Sequence, residues 1–467
     1  MTTDPLASAH DAAPDDAAPD DPARRWAAHV ETIRDTIACR LGRAVPARVD
    51  AAARLIMLDT LGCAFAGRTA PEVVALERQA TVLEPGTFRF PGGKGLGIRP
   101  AIQSLAIGPT WHEACEGHAF AHGRPGIAVL AALLPLAVAR DASLGEMIEA
   151  FVIGYEVGAR AGGWLRLAPG LHVDGNWPAL GVAAGVGRLL GMDHAQIVRA
   201  IDIAACQLPY SLYLPIRTGR NVRNGYLAHS AALGLDSALA AQAGFDAPED
   251  ALAHYAEHHC RADIRPLPPA ASDLLLQAYL KPFAAVRHVH YGAIAARRIR
   301  ERLHGDTTRI RHITLAVYEE ASIYCDNPRP QTLLAAQFSL TFGVAAMLRH
   351  GALDAGSYQP SSFHDAELRR LETLVIVQID PQLTGGNQRG ARLQVEIDGG
   401  APLTEEVSSD DPALLLSADQ TATKFSRHLV AGGVSEQAAS AFFRTVQEDR
   451  GGLACRSLWA LLTDSPS

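Results

Sequence analysis

GVAAGVGRLLG (residues 181–191) and SAALGLDSALAAQAG (230–244) decide the fold of this chain. Both are rich in glycine and alanine and present faces with little side-chain bulk, so the helices they form can approach closely, as in an α-helical bundle. Upstream and between them, other helices announce their starts. Ser143 with Glu146 forms a capping-box pattern ahead of MIEAFVIGYEVGARAG, and Asp193 with Gln196 does the same for IVRAIDIAACQL. Further back, VDAAARLIMLDTLGCAFAG (49–67) has helical apolar spacing, with Asp50 as a polar start and Gly67 as a glycine cap. Residues 84–100, with five glycines and three prolines, read as loop, and GGKG within them lacks the spacing of a phosphate-cradling loop.

The pattern changes after about Pro266. Strand-like segments occur at HITLAVYE (312–319), TLVIVQID (373–380) and RLQVEID (392–398), the last two separated by the turn-rich PQLTGGNQRG. Helical patterns fill YGAIAARRIRERLHG (291–305) and TLLAAQFSLTFGVAAMLRHG (332–351), and helix returns after Pro412. The expected fold is mainly α. A large all-α domain spans 26–267 and 408–467, and a smaller α+β lid domain, 268–407, is inserted before the C-terminal helices. Residues 1–25, with aspartates among Ala and Pro and no secretory-signal pattern, read as a disordered acidic tail.

Composition narrows the function. A net charge of -8 over 467 residues argues against nucleic-acid binding. The longest apolar stretch, 127–139, is broken by Pro135 and is too short to cross a membrane. Seven cysteines, odd in number and without a CxxC pair, indicate reduced thiols and a cytoplasmic protein.

The chemistry concentrates in WHEACEGHAFAHGRPG (111–126), which holds His112, Glu113, Cys115, Glu116, His118, His122 and Arg124 directly before that apolar run. His112, Glu113 and Glu116 approach the HExxH zinc motif, but the second histidine position is Glu116. A metal site built on His112, Glu116 and His118, in a hydrolase or a metal-binding protein, is the alternative to metal-free acid/base chemistry. His172 lies in a Gly- and Pro-rich loop before a helix N-terminus. Arg217, Arg220 and Arg223 recur at steps of three; Arg217 reads as solvated, while Arg220 and Arg223 are flanked by apolar segments and suit carboxylate binding. HYAEHHC (254–260) reads as surface. KPFAAVRHVH (281–290) puts Lys281 and His290 at the boundary between the two expected domains, where small-molecule clefts concentrate. Tyr324 precedes the Asn327-Pro328 turn and can donate to a substrate or cap that turn.

Taken together, LDTLGCAFAGR (58–68), the histidine-rich stretch ending His122-x-x-x-Gly126, the His172 loop, KPFAAVRHVH and NPRPQTLLAAQFSL (327–340) resemble the MmgE/PrpD family over about residues 26–460. That family includes 2-methylcitrate dehydratase, cis-aconitate decarboxylase and iminodisuccinate epimerase. The resemblance implies a cofactor-free homodimeric enzyme with its site between a helical domain and a lid. It puts the family's functional histidines at His122, His172 and His290, its lysine at Lys281 and its tyrosine at Tyr324. This chain departs from the pattern in carrying Cys115, Gly117 and His118 at aspartate positions, and Arg220 where the family has a second lysine. The expected enzyme is a lyase, a dehydratase or decarboxylase acting on a small di- or tricarboxylate, with epimerisation as the close alternative. His122, His172, Lys281, Tyr324 and Glu116 are its expected catalytic groups, and Arg220, Arg223, Arg124, His112, His118, His290 and Cys115 line its expected binding site.

Overall fold

A computed structural model describes residues 22–385 and 389–463; residues 1–21 of the expected acidic tail and part of the turn before residue 390 lie outside the described residues. The fold is mainly α, with twenty α-helices among the described residues. The first, Pro22–Ala38, begins within the expected tail. The cause is its apolar stripe: Trp26, Val30, Ile33 and Ile37 are buried, and Trp26 Nε1 donates to Glu257 at 2.8 Å.

The helical core forms as the small residues predict. Leu144–Trp164 and Pro178–Leu189 cross so closely that a Cβ on Gly181 would lie 2.6 Å from the carbonyl oxygen of Gly154. Tyr226–Gln242 meets Pro178–Leu189 as closely, since a Cβ on Gly234 would lie 2.6 Å from the carbonyl oxygen of Ala179. Both capping boxes are present, at Ser143 with Glu146 and at Asp193 with Gln196. Gly67 differs from expectation. The helix Ala47–Arg68 runs past it, and a Cβ there would collide with the backbone of Gly108 in the helix Ile98–Trp111. Its glycine serves a helix crossing rather than a cap. Gly67→Ala is therefore expected to destabilise the protein by about 1–3 kcal/mol through overpacking, measured by urea unfolding.

The loop expected at 84–100 contains a short strand, Pro85–Phe88, bridged to Leu96, and the next helix begins at Ile98. The expected long helix at 332–351 is two, Leu333–Gln337 and Leu340–His350. Ser339 breaks it by capping the second, its hydroxyl accepting from the N–H of Phe342.

Four strands form one sheet in the order Val375–Ile379, Ile310–Val317, Gly390–Ile397, Leu403–Ser408. The first pair is parallel and the others antiparallel. Leu403–Ser408 carries only Leu403 and Val407 as apolar residues, a weak sequence signal for an edge strand. Alternation buries Ile313, Leu315, Leu393 and Val395 on one face, and the helix Arg287–Arg302 packs against the sheet with Gly292 beside Leu315. After the sheet the chain returns to the helical core: Ala418–Ala431 packs along Ala47–Arg68, and Cys455–Thr463 against Pro125–Arg140.

Candidate active site

Between the bundle and the segment bearing the sheet lies a cavity of about 720 Å³, lined by residues 113–261 on one side and 279–389 on the other. Two short antiparallel pairs position its walls. Gly117–His118 pairs with Ala278–Tyr279, which binds the histidine-rich stretch to the loop carrying Lys281. Leu171–His172 pairs with Ser211–Leu212, which fixes His172. Glu113 and His122 both adopt left-handed backbone, with φ of 53° and 52°. That conformation is uncommon for residues with a side chain, and the tight turns of the 112–124 segment impose it.

The buried end of the cavity is an ion cluster centred on Glu113. Its carboxylate accepts from Arg124 at 3.0 Å, Arg223 at 2.8 Å and Lys281 at 2.8 Å. Asp174 is the second carboxylate, paired closely with Arg124 and 3.7 Å from Arg223. Burial alone would raise the Glu113 carboxyl, but the charges of Arg124, Arg223 and Lys281 outweigh it and hold the group well below the usual carboxylate range. Three buried cations face two buried carboxylates, which leaves one positive charge for a ligand.

Four imidazoles, those of His118, His122, His172 and His288, line the same space. His122 is exposed to the cavity; partial burial and the guanidiniums of Arg166, Arg389 and Arg265 lower its pKa to about 3. His172 is buried, and its Nδ1 accepts from the backbone N–H of Asp174 at 3.1 Å. The proton of the neutral ring therefore sits on Nε2. Burial, Arg223 and Arg124 keep that ring neutral. Tyr324 lines the cavity, 42% exposed, with its ring stacked on His288 and edge-on to Tyr213.

Glu116 also lines the cavity. It is fully buried, with its oxygens accepting from Gly126 N–H at 2.5 Å and Tyr155 Oη at 2.9 Å. Burial raises its pKa from the usual 4.5 to about 7. Between those values the folded protein holds a proton that the unfolded chain has released, so this contribution to stability falls as pH rises. Glu116→Gln, which mimics the protonated group, is expected to gain up to about 3 kcal/mol relative to the wild type between about pH 5 and pH 8. Urea unfolding of both proteins at the two pH values measures it.

Two family profiles match the chain: the MmgE/PrpD N-terminal domain over residues 32–256 and the MmgE/PrpD C-terminal domain over residues 283–448. The chain belongs to the MmgE/PrpD family. A search among curated proteins returned no match. MmgE/PrpD proteins are typically lyases, dehydratases above all, and the family suggests a lyase-type enzyme here.

Within this MmgE/PrpD chain the structure sorts the expected site residues. His122, His172, Lys281, Tyr324, Glu116, Arg124, Arg223 and His118 line the cavity. His118 has no free ring nitrogen: Nε2 bonds the carbonyl of Leu274 at 2.8 Å, and Nδ1 accepts from Ala121 N–H. It pins the turn and is not available to a ligand. Cys115 is buried beside Arg124, with Sγ 3.6 Å from Nη1, and does not line the cavity. His112 bonds the backbone of Ala66 behind the wall. That separates it from Glu116 and His118, and among the described residues no three His, Cys, Asp or Glu side chains are grouped to hold a metal ion. His290 is fully buried, with Nε2 on the carbonyl of Ala285 and its ring against Phe283. Arg220 is exposed away from the cavity, while Arg217, read from sequence as solvated, lines it.

Sequence reasoning missed Asp174, whose pairing with Arg124 spans 50 positions. It also passed over Arg166, Arg261 and Arg389, which belong to no motif and meet only in the fold. A further unexpected residue is Lys424, from the helix Ala418–Ala431. It is buried, and its Nζ donates to Asp59 at 2.6 Å and to the carbonyls of Ala114 at 2.6 Å and Lys281 at 3.0 Å. Lys424 thereby clamps together the two segments that carry Glu113 and Lys281.

On the described residues no helix is long and apolar enough to cross a membrane.

Proposed function

We propose that this protein is a cofactor-independent lyase that dehydrates or decarboxylates a small di- or tricarboxylate by moving a proton at the carbon next to a carboxylate. The observation that supports this reading is a pair of neutral imidazoles, His122 and His172, on the walls of one cavity with eight basic side chains. Removing such a proton places negative charge on the substrate. Fixed cations that stabilise this charge and a positioned base lower the barrier together.

In this reading His122, with a free ring, is the base, and His172 donates from Nε2. Lys281 and Arg223 hold the reacting end of the acid, with Glu116 and Tyr324 as further proton donors. Burial first, and then the neighbouring guanidiniums, depress the His122 imidazole. An arriving carboxylate offsets the guanidinium part of that depression, which couples proton abstraction to substrate binding.

Epimerisation is the second reading, favoured by the same pair: the two imidazoles come from separate segments, so each can serve one face of a single carbon. A panel of di- and tricarboxylates followed by proton NMR in deuterated water separates the outcomes. Dehydration yields vinylic protons, decarboxylation a product shorter by one carboxyl, and epimerisation a C–H exchange without a new carbon skeleton. No change in any acid of the panel would sink the proposal.

A further inference from the structure

The cavity is larger, and its buried end less cationic, than a small polycarboxylate requires. Its 720 Å³ falls among pockets that enclose drug-sized ligands; a six-carbon tricarboxylate would fill on the order of a quarter of it. Glu113 and Asp174 already balance two of the three charges on Arg124, Arg223 and Lys281, and the one uncompensated charge matches one carboxylate.

The free cations lie elsewhere. Arg217 and Arg261 are exposed, line the cavity and make no ion pair or side-chain hydrogen bond among the described residues. Two others on the wall are already engaged: Arg389 with Glu320 at 3.0 Å, and Arg166 with the carbonyl of Gly162 at 3.1 Å. Among the described residues the cavity therefore carries cations of two kinds, buried and paired around Glu113, and exposed and unpaired at Arg217 and Arg261.

Apolar surface accompanies them. Leu171, Val173 and Phe338 line the wall, and Leu214 and Ile323 stand 57% and 63% exposed on the same cavity. The exposed ring of Tyr324 meets Tyr213 at 5.4 Å and extends this surface. Apolar side chains left open around a cavity are a reason to expect an apolar group in it.

Accordingly, and resting on the lyase reading above, we infer that the substrate is a dicarboxylate carrying a sizeable apolar substituent. One carboxylate sits at the Glu113 cluster, the second at Arg217 and Arg261, and the substituent lies against Leu214, Ile323 and Tyr324.

The test uses the full-length protein and three probes: succinate, benzylsuccinate and propane-1,2,3-tricarboxylate. Calorimetry gives their affinities, and proton NMR in deuterated water follows exchange of their C–H protons. Benzylsuccinate is expected to bind at least about tenfold more tightly than succinate, the scale set by burying a modest apolar group. Ile323→Asn, at an exposed position, is expected to remove most of that preference while sparing succinate. Arg217→Ala with Arg261→Ala is expected to weaken both dicarboxylates. Succinate or the tricarboxylate binding as tightly as benzylsuccinate would overturn the inference, and His122-dependent exchange of their protons would leave the lyase reading standing. Tighter binding of benzylsuccinate with no exchange in any acid would support the binding class and count against the lyase. Failure of all three to bind would overturn the inference.

Discussion

Glu113→Ala is expected to destabilise the protein by about 3–5 kcal/mol, the range found when one member of a buried ion cluster is removed. Its carboxylate is the shared acceptor for Arg124, Arg223 and Lys281, all buried. Without it Asp174 alone must compensate three cations in a medium that solvates them poorly. The effect depends on pH. A carboxyl whose folded pKa lies below its unfolded value contributes its stability above the unfolded pKa of about 4.5, and that contribution is lost as pH falls further. The penalty of the alanine variant should therefore shrink in acid. Urea unfolding measures it, and adding Arg223→Met to the variant should recover part of the loss, since one uncompensated charge is removed with its partner. A loss below about 1 kcal/mol at neutral pH would mean that the cluster is not held together as described.

The second large effect is kinetic. His122→Asn is expected to lower the rate of substrate C–H exchange by about 10²–10⁴-fold, the usual contribution of a positioned base, with little change in stability. Asparagine is preferred to alanine here because residue 122 has φ of 52°, a region that asparagine tolerates. The contrast with His118 makes the result specific. His118→Asn removes a ring that holds the carbonyl of Leu274 and the N–H of Ala121, so it should lower stability at least as much as activity. If the two substitutions behave alike, His122 is a structural residue.

Most helices could be read from local signals, because caps and small-residue faces act within a few positions of one another. Ser143 with Glu146 and Asp193 with Gln196 are such signals. Gly67 misled for the same reason: glycine near a helix end suggests a cap, and its actual partner, Gly108, lies on another helix. In the site, His122, His172 and Lys281 could be singled out by their sequence settings and by family resemblance. The pairing that sets their environment could not. Glu113 meets Arg223 and Lys281 across 110 and 168 positions, and nothing local marks it as more than one carboxylate in a polar stretch. The same limit promoted Cys115 and His290, whose neighbours are chemically active but whose own side chains are enclosed.

The Lys424 clamp bears on when the enzyme comes into being. It joins residues 59, 114, 281 and 424, so the carbonyls on either side of the site obtain their common donor only after most of the chain has been made. During synthesis the helices before residue 250 can pack through their own contacts, while the pocket stays unfinished until the helix Ala418–Ala431 returns to Ala47–Arg68. A nascent chain thus carries His122 and His172 well before Lys424 can join the segments that flank Glu113 and Lys281, and the cavity is completed late.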